Sequence, residues 1–136
     1  MATISEDYVS FETAELLKEK GFNEICCLGY NKNREYFPTS NRTNSQIIQP
    51  DFCFICCPTL QMAMKWLREV HNIFVCIIPS EVGAGVMDYT YVLYKVDAKN
   101  FYFEDLGIQG RAKNISEISY EKACESAIKY CLENLI

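Results

Sequence analysis

Cysteine offers this chain its widest choice of chemistry. Eight cysteines occur in 136 residues, and the segment DFCFICCPT places Cys53, Cys56 and Cys57 within five positions. Three uses are open to such a cluster. A structural zinc site turns a CxxC tightly, so that both thiolates converge on one tetrahedral ion. Cys53 and Cys56 have that spacing, but Phe54 and Ile55 between them favour extension over turning. In a strand, positions 53 and 56 point to opposite faces. The second pair such a site would need, Cys26 and Cys27, is adjacent and ill-placed for one ion. A redox dithiol needs an accessible thiol of low pKa, commonly at a helix N-terminus. Cys56 and Cys57 do precede a helical pattern, with Pro58 at the junction, yet CFIC lacks small or turn-forming residues between its thiols. The third use is packing, with thiols serving as small hydrophobes, and Cys76, Cys124 and Cys131 fit it equally. Core packing is therefore the expectation, with no metal and no cofactor.

Other chemical options are few. His71, the single histidine, falls in the last turn of a predicted helix, where the helix dipole favours a cation. Meeting Cys57 would give it a catalytic use; a structural use is expected instead, and no residue is assigned as catalytic. EVGAGVMD contains GxG but lacks the third glycine and the following helix of a dinucleotide fingerprint. Glu104 and Asp105 are adjacent at a strand end and project oppositely, so they form no acid–base pair.

The aromatic residues carry more. Tyr89, Tyr91, Tyr94, Phe101, Tyr102 and Phe103 fall in two neighbouring predicted strands. Alternation sends Tyr89, Tyr91 and Leu93 to one face and Thr90, Val92 and Tyr94 to the other. Rings on a face left bare by helices would serve a self-association surface or a ligand groove; cross-strand packing is the other use open to them. Tyr89, Tyr91, Tyr94 and Tyr102, with Cys57 and His71, are the candidate ligand or partner surface.

The elements that must position these residues follow from periodicity. Ser10 caps a helix running to about Lys20, with Phe11, Ala14 and Leu17 as its apolar stripe and Gly21 after its end. Residues 24–30 and 34–37 form a hairpin around YNKNREY, and TSNRTNSQ reads as a solvated, mobile loop. A second helix starts at Pro58 or Thr59 and ends at Asn72, with Met62, Ala63, Trp66, Leu67 and Val70 inward. IFVCIIP reads as a strand central in a sheet. YTYVLYKV and NFYFED are strands joined at DAKN, LGIQGRAKNISEI is irregular, and Ser119 caps a closing helix. Tyr120, Cys124, Ala127, Ile128, Cys131 and Leu135 share its inner face. The expected product is one α+β domain over residues 1–136, with three helices packed on one side of a four- to five-stranded, largely antiparallel sheet.

Composition narrows the function classes. Hydrophobic residues make up 49% and charged residues 23%, ordinary globular values. The net charge of −5 is spread along the chain, without the basic cluster that a nucleic-acid binder carries. No apolar stretch approaches the roughly 18 residues of a membrane span, and the N-terminus lacks the pattern of a secretory signal. The expectation is a cytoplasmic protein with reduced thiols, no membrane contact and no nucleic-acid partner.

Three blocks, YVSFETAELLKEKGFNE, PTLQMAMKWLREVHNIFVCI and SYEKACESAIKYCLENLI, resemble a family of small uncharacterised proteins from gut Bacteroides-type bacteria and their phages. They cover residues 8–24, 58–77 and 119–136. The resemblance implies no activity and maps no site residue; it implies a phage or mobile-element accessory role. Together these readings lead to a small non-enzymatic binding module acting through protein contacts, as a homodimer or with a host protein. The other reading is a small-molecule or enzymatic site near Cys57, His71 and the 80–86 loop, and a third is a metal-stabilised domain using Cys53 and Cys56.

Overall fold

The strands of this chain divide between two antiparallel sheets. The computed structural model describes residues 4–47, 55–81, 83–85, 87–111 and 119–136; Cys53, and with it the CFIC motif as a whole, lies outside them. The chain falls into two compact units, residues 1–62 and 63–136.

In the first unit, helix α1 (Phe11–Glu19) begins where the Ser10 side chain accepts a hydrogen bond from the Thr13 backbone N–H. It ends in paired return bonds, Phe22 N–H to Leu17 C=O at 2.8 Å and Gly21 N–H to Lys18 C=O at 3.1 Å. Gly21 takes φ +93°, the left-handed turn that glycine adopts without strain. Strand β1 (Cys26–Tyr30) pairs antiparallel with β2 (Tyr36–Arg42) and with β3 (Ile55–Cys56), giving the order β2-β1-β3. The predicted hairpin forms: Asn31 Oδ1 accepts from the N–H groups of Asn33 and Glu35 at its turn.

The polar segment after that hairpin is not the loop its composition suggests. Thr39 to Arg42 continue β2, and Asn44–Gln46 form a short 3₁₀ turn. Asn44 is buried there, donating to Phe22 C=O at 2.9 Å and accepting from Cys56 N–H at 3.0 Å. A polar residue reads as solvated in a sequence because its long-range partners are invisible there.

Helix α2 (Leu60–His71) leads into the second unit, capped by Thr59, whose hydroxyl accepts from Met62 N–H. Its buried residues are Leu60, Ala63, Met64, Trp66 and Leu67, whereas Met62 and Val70, expected inside, are exposed. The i, i+3, i+4, i+7 series starts at Leu60, which turns the stripe away from those two. Asn72, at φ +58°, ends the helix. Strands β4 (Ile73–Glu81), β5 (Met87–Asp97) and β6 (Tyr102–Arg111) then form an antiparallel meander in the order β4-β5-β6. Helix α3 (Tyr120–Asn134), capped by the Ser119 hydroxyl, packs on it and buries Ala123, Cys124, Ala127, Ile128, Cys131 and Leu132.

The α+β class with three helices and antiparallel pairing is as expected. The single four- to five-stranded sheet is not: among the described residues the strands form two three-stranded antiparallel sheets. Strand β4 is an edge strand rather than a central one, because β5, not β4, has a hairpin neighbour on each side. Residues 106–111, expected to be irregular, complete β6; Gly107 at φ +67° marks the irregularity where its register shifts.

Candidate functional site

The two faces of the β4-β5-β6 sheet have different fates. On one face the rings of Tyr89 and Tyr91 meet Tyr120 and Tyr130 of α3, with centroids 6.1 and 6.4 Å apart. Leu93, on the same face, is fully buried. Tyr91 lies over Gly110, its cross-strand partner, where a side chain of any size would overlap the ring. Burial pushes the Tyr91 phenol above its usual value.

The opposite face is covered at its centre, where Val92 is buried, and exposed at its edges. Register and alternation place Phe74, Cys76 and Ile78 of β4 there, with Val92 and Tyr94 of β5 and Phe103 of β6. Phe74 pairs directly with Tyr94, and the Tyr94 ring stacks on Phe103 at 5.3 Å between centroids. Three rings on three successive strands thus form a ladder across the sheet. Phe74 is 41% exposed, Ile78 40% and Phe103 67%, so the ladder is open to solvent at both sheet edges. Asp88 of β5 is buried on this face by the same alternation, and Arg68 of α2 is ion-paired with Glu69 at 3.6 Å. The Arg68 guanidinium lies 5.5 Å from the Phe74 ring centre, and Asp105 pairs with Tyr94 on β6.

Of the residues nominated from sequence, Tyr94 alone lies on this open face. Tyr89 and Tyr91 face the helix. Tyr102 is directed to the other side from Phe103, and its hydroxyl donates to the Glu104 carboxylate. Phe74 and Ile78 were missed, and Phe103 was counted among the aromatic strand residues without being nominated for the site. Their alternation is present in IFVCII and FYF, but reading β4 as a central strand buried both of its faces.

His71 closes α2 with its ring edge-on to Trp66 at 4.7 Å. Its Nε2 is buried and has no hydrogen-bond partner among the described residues. Desolvation holds its pKa below the usual 6.5. In the 80–86 loop, Gly83, Ala84 and Gly85 all take positive φ, as a tight hairpin end demands.

Cys57 belongs to a second cluster, within the first unit. Its backbone N–H donates to Leu28 C=O at 2.9 Å and its thiol to Val9 C=O at 3.4 Å. That carbonyl also accepts the Tyr30 hydroxyl at 2.6 Å. Cys56 and Cys57 are 1% exposed and Cys26 5%, in keeping with a packing use, whereas Cys27 is exposed. Cys26, Cys27 and Cys57 line a small cleft of about 100 Å³ with Tyr8, Ile25, Pro58, Thr59 and Met62. Among the described residues no three histidine, cysteine or acidic side chains converge as a metal site. Nor is any described helix long and apolar enough to cross a membrane. Comparison with protein families, curated proteins and solved structures finds no match to this chain.

Proposed function

We propose that this protein is a non-enzymatic binding module that acts through protein contacts on the open face of the β4-β5-β6 sheet, and that a second copy of the chain occupies that face. The observation that carries the reading is the Phe74–Tyr94–Phe103 ladder, whose two outer rings are exposed at the sheet edges. Aromatic anchors of this kind dominate interface energetics. Charge complementarity favours a second copy. A twofold axis running along β5 lays β4 of one copy over β6 of the other. Arg68 beside Phe74 then meets Asp105 beside Tyr94, twice, and each ring ladder covers the other. The three-block resemblance supports a phage- or prophage-related accessory role for such a module.

Sedimentation velocity over a concentration series tests the reading. Wild-type protein is expected to pass from monomer to dimer. Phe103→Ser should weaken association by about 2 kcal/mol, roughly thirtyfold in Kd, with its far-UV circular dichroism unchanged. Asp105→Arg, which sets cation against cation, should weaken it as well. A monomer at every concentration, or a dimer indifferent to both substitutions, would contradict the reading.

A further inference from the structure

The first unit carries a group of rings that the sheet face does not use. We propose that the Phe11 ring and the tyrosines beside it form a seat for an arginine side chain from a segment of a partner protein, and that Arg34 holds this seat in the free chain. Tyr8 lies 5.9 Å from Tyr36 between ring centroids, Tyr36 stacks on Tyr30 at 5.1 Å, and Tyr30 meets Phe11 edge-on at 5.4 Å. Tyr8 and Phe11 stand on either side of the Ser10 cap of α1, and Tyr30 and Tyr36 are cross-strand partners where the β1–β2 hairpin closes. Tyr30 is the fixed inner member, buried and donating its hydroxyl to Val9 C=O. Tyr36 is 54% exposed and Phe11 half-buried, so the group opens to solvent on those two rings.

One cation is already in place. The Arg34 guanidinium lies over the Phe11 ring, 4.7 Å from its centre. A guanidinium is drawn to an aromatic face by the ring quadrupole, stacks on it, and is weakly hydrated, so it leaves water readily. The backbone of Arg34 gives no reason for arginine. It takes φ +62° in a turn closed by Asn31 N–H to Glu35 C=O at 2.9 Å and Arg34 N–H to Asn31 C=O at 3.1 Å. Glycine takes that position without strain. What arginine adds is a side chain over Phe11. Arg34 is exposed and reaches the ring from a turn, so rotation about its own side-chain bonds clears the ring without moving a strand.

Charge selects the class of ligand. Glu6 and Asp7 precede Tyr8, Glu35 precedes Tyr36, and all three are exposed. None of them forms an ion pair among the described residues, which leaves them to draw in a cation. An anion would meet three carboxylates there. The compact ammonium of lysine is strongly hydrated and does not stack as the planar guanidinium does, which favours arginine. A seat on half-exposed rings is also too shallow to enclose a free small molecule. It suits a side chain delivered by a larger protein contact.

The test is an NMR titration of the aromatic side chains in wild type and Arg34→Gly. The probes are the blocked tripeptide Gly-Arg-Gly and the same peptide with citrulline, which keeps the shape of arginine and lacks its charge. Glycine accepts φ +62°, so Arg34→Gly keeps the turn and bares the Phe11 ring. It is expected to bind the arginine peptide about fivefold more tightly than wild type does, with shifts at Phe11 and Tyr36. The citrulline peptide should bind it about fivefold or more weakly than the arginine peptide. Adding Phe11→Leu, which keeps apolar bulk and removes the ring, should bring the arginine peptide down to the citrulline level. Equal affinity for the two peptides, no gain on removing Arg34, or shifts confined to other rings would overturn the proposal. The two-peptide comparison decides the matter without Phe11→Leu, should that variant fail to fold.

Discussion

His71 shows how a single side chain sets a pH response without any catalytic use. Its Nε2 is buried without a hydrogen-bond partner among the described residues, against the Trp66 ring, so the charged form is disfavoured in the folded protein. The unfolded chain, with a pKa near 6.5, takes up the proton first on acidification. Stability from this residue is therefore fully present above about pH 6.5 and is lost as the pH falls below it. Denaturant melts of wild type and His71→Gln between pH 5 and 7.5 should show the wild type losing ground to the variant toward the acid end; parallel profiles would exclude the effect. Residues with local partners were legible in the sequence. Ser10 and Ser119 are caps because each meets an N–H three positions on, Thr13 and Lys122. Asn44 was not, since its partners, Phe22 and Cys56, lie 22 and 12 positions away.

At the scale of elements, hairpins were readable and sheet neighbours were not. Asn-rich YNKNREY and the DAKN corner announce their turns chemically, the second through Asp97 Oδ1 accepting from Lys99 N–H. The apolar run of β4 announces burial, yet an edge strand beside an open aromatic face has the same composition as a central one. Gly110 illustrates a contact that only register reveals. In sequence it reads as a strand breaker; in the sheet it is the cross-strand seat of the Tyr91 ring, an aromatic covering a strand glycine. Gly110→Ala should destabilise the protein by about 1–3 kcal/mol, because the buried ring has to move. Tyr91→Phe, which shortens the ring side chain by its hydroxyl, should recover part of that loss in a double-mutant cycle. Gly107→Ala is the control: an added Cβ there meets nothing within 4 Å, so its cost comes from backbone at φ +67° alone. Additive denaturation midpoints for the Gly110 and Tyr91 variants would show that the ring and the glycine are not coupled.

For the whole molecule, composition indicated the kind of object and left its working surface open. The net charge of −5 and the α+β class were both readable, the second from the order of periodic segments. The division of the strands into two sheets was not, because sheet membership is fixed by pairing that periodicity does not encode. That division matters for function. α3 packs on one side of the three-stranded sheet, and on the other side the Phe74–Tyr94–Phe103 ladder is exposed at both edges. Covalent footprinting of aromatic side chains across a dilution series tests this most directly. Phe74, Tyr94 and Phe103 should lose reactivity together as concentration rises, while Phe101, at the hairpin tip and 96% exposed, keeps its own. Unchanged reactivity of the three rings at every concentration would contradict the assignment of this face as the binding surface.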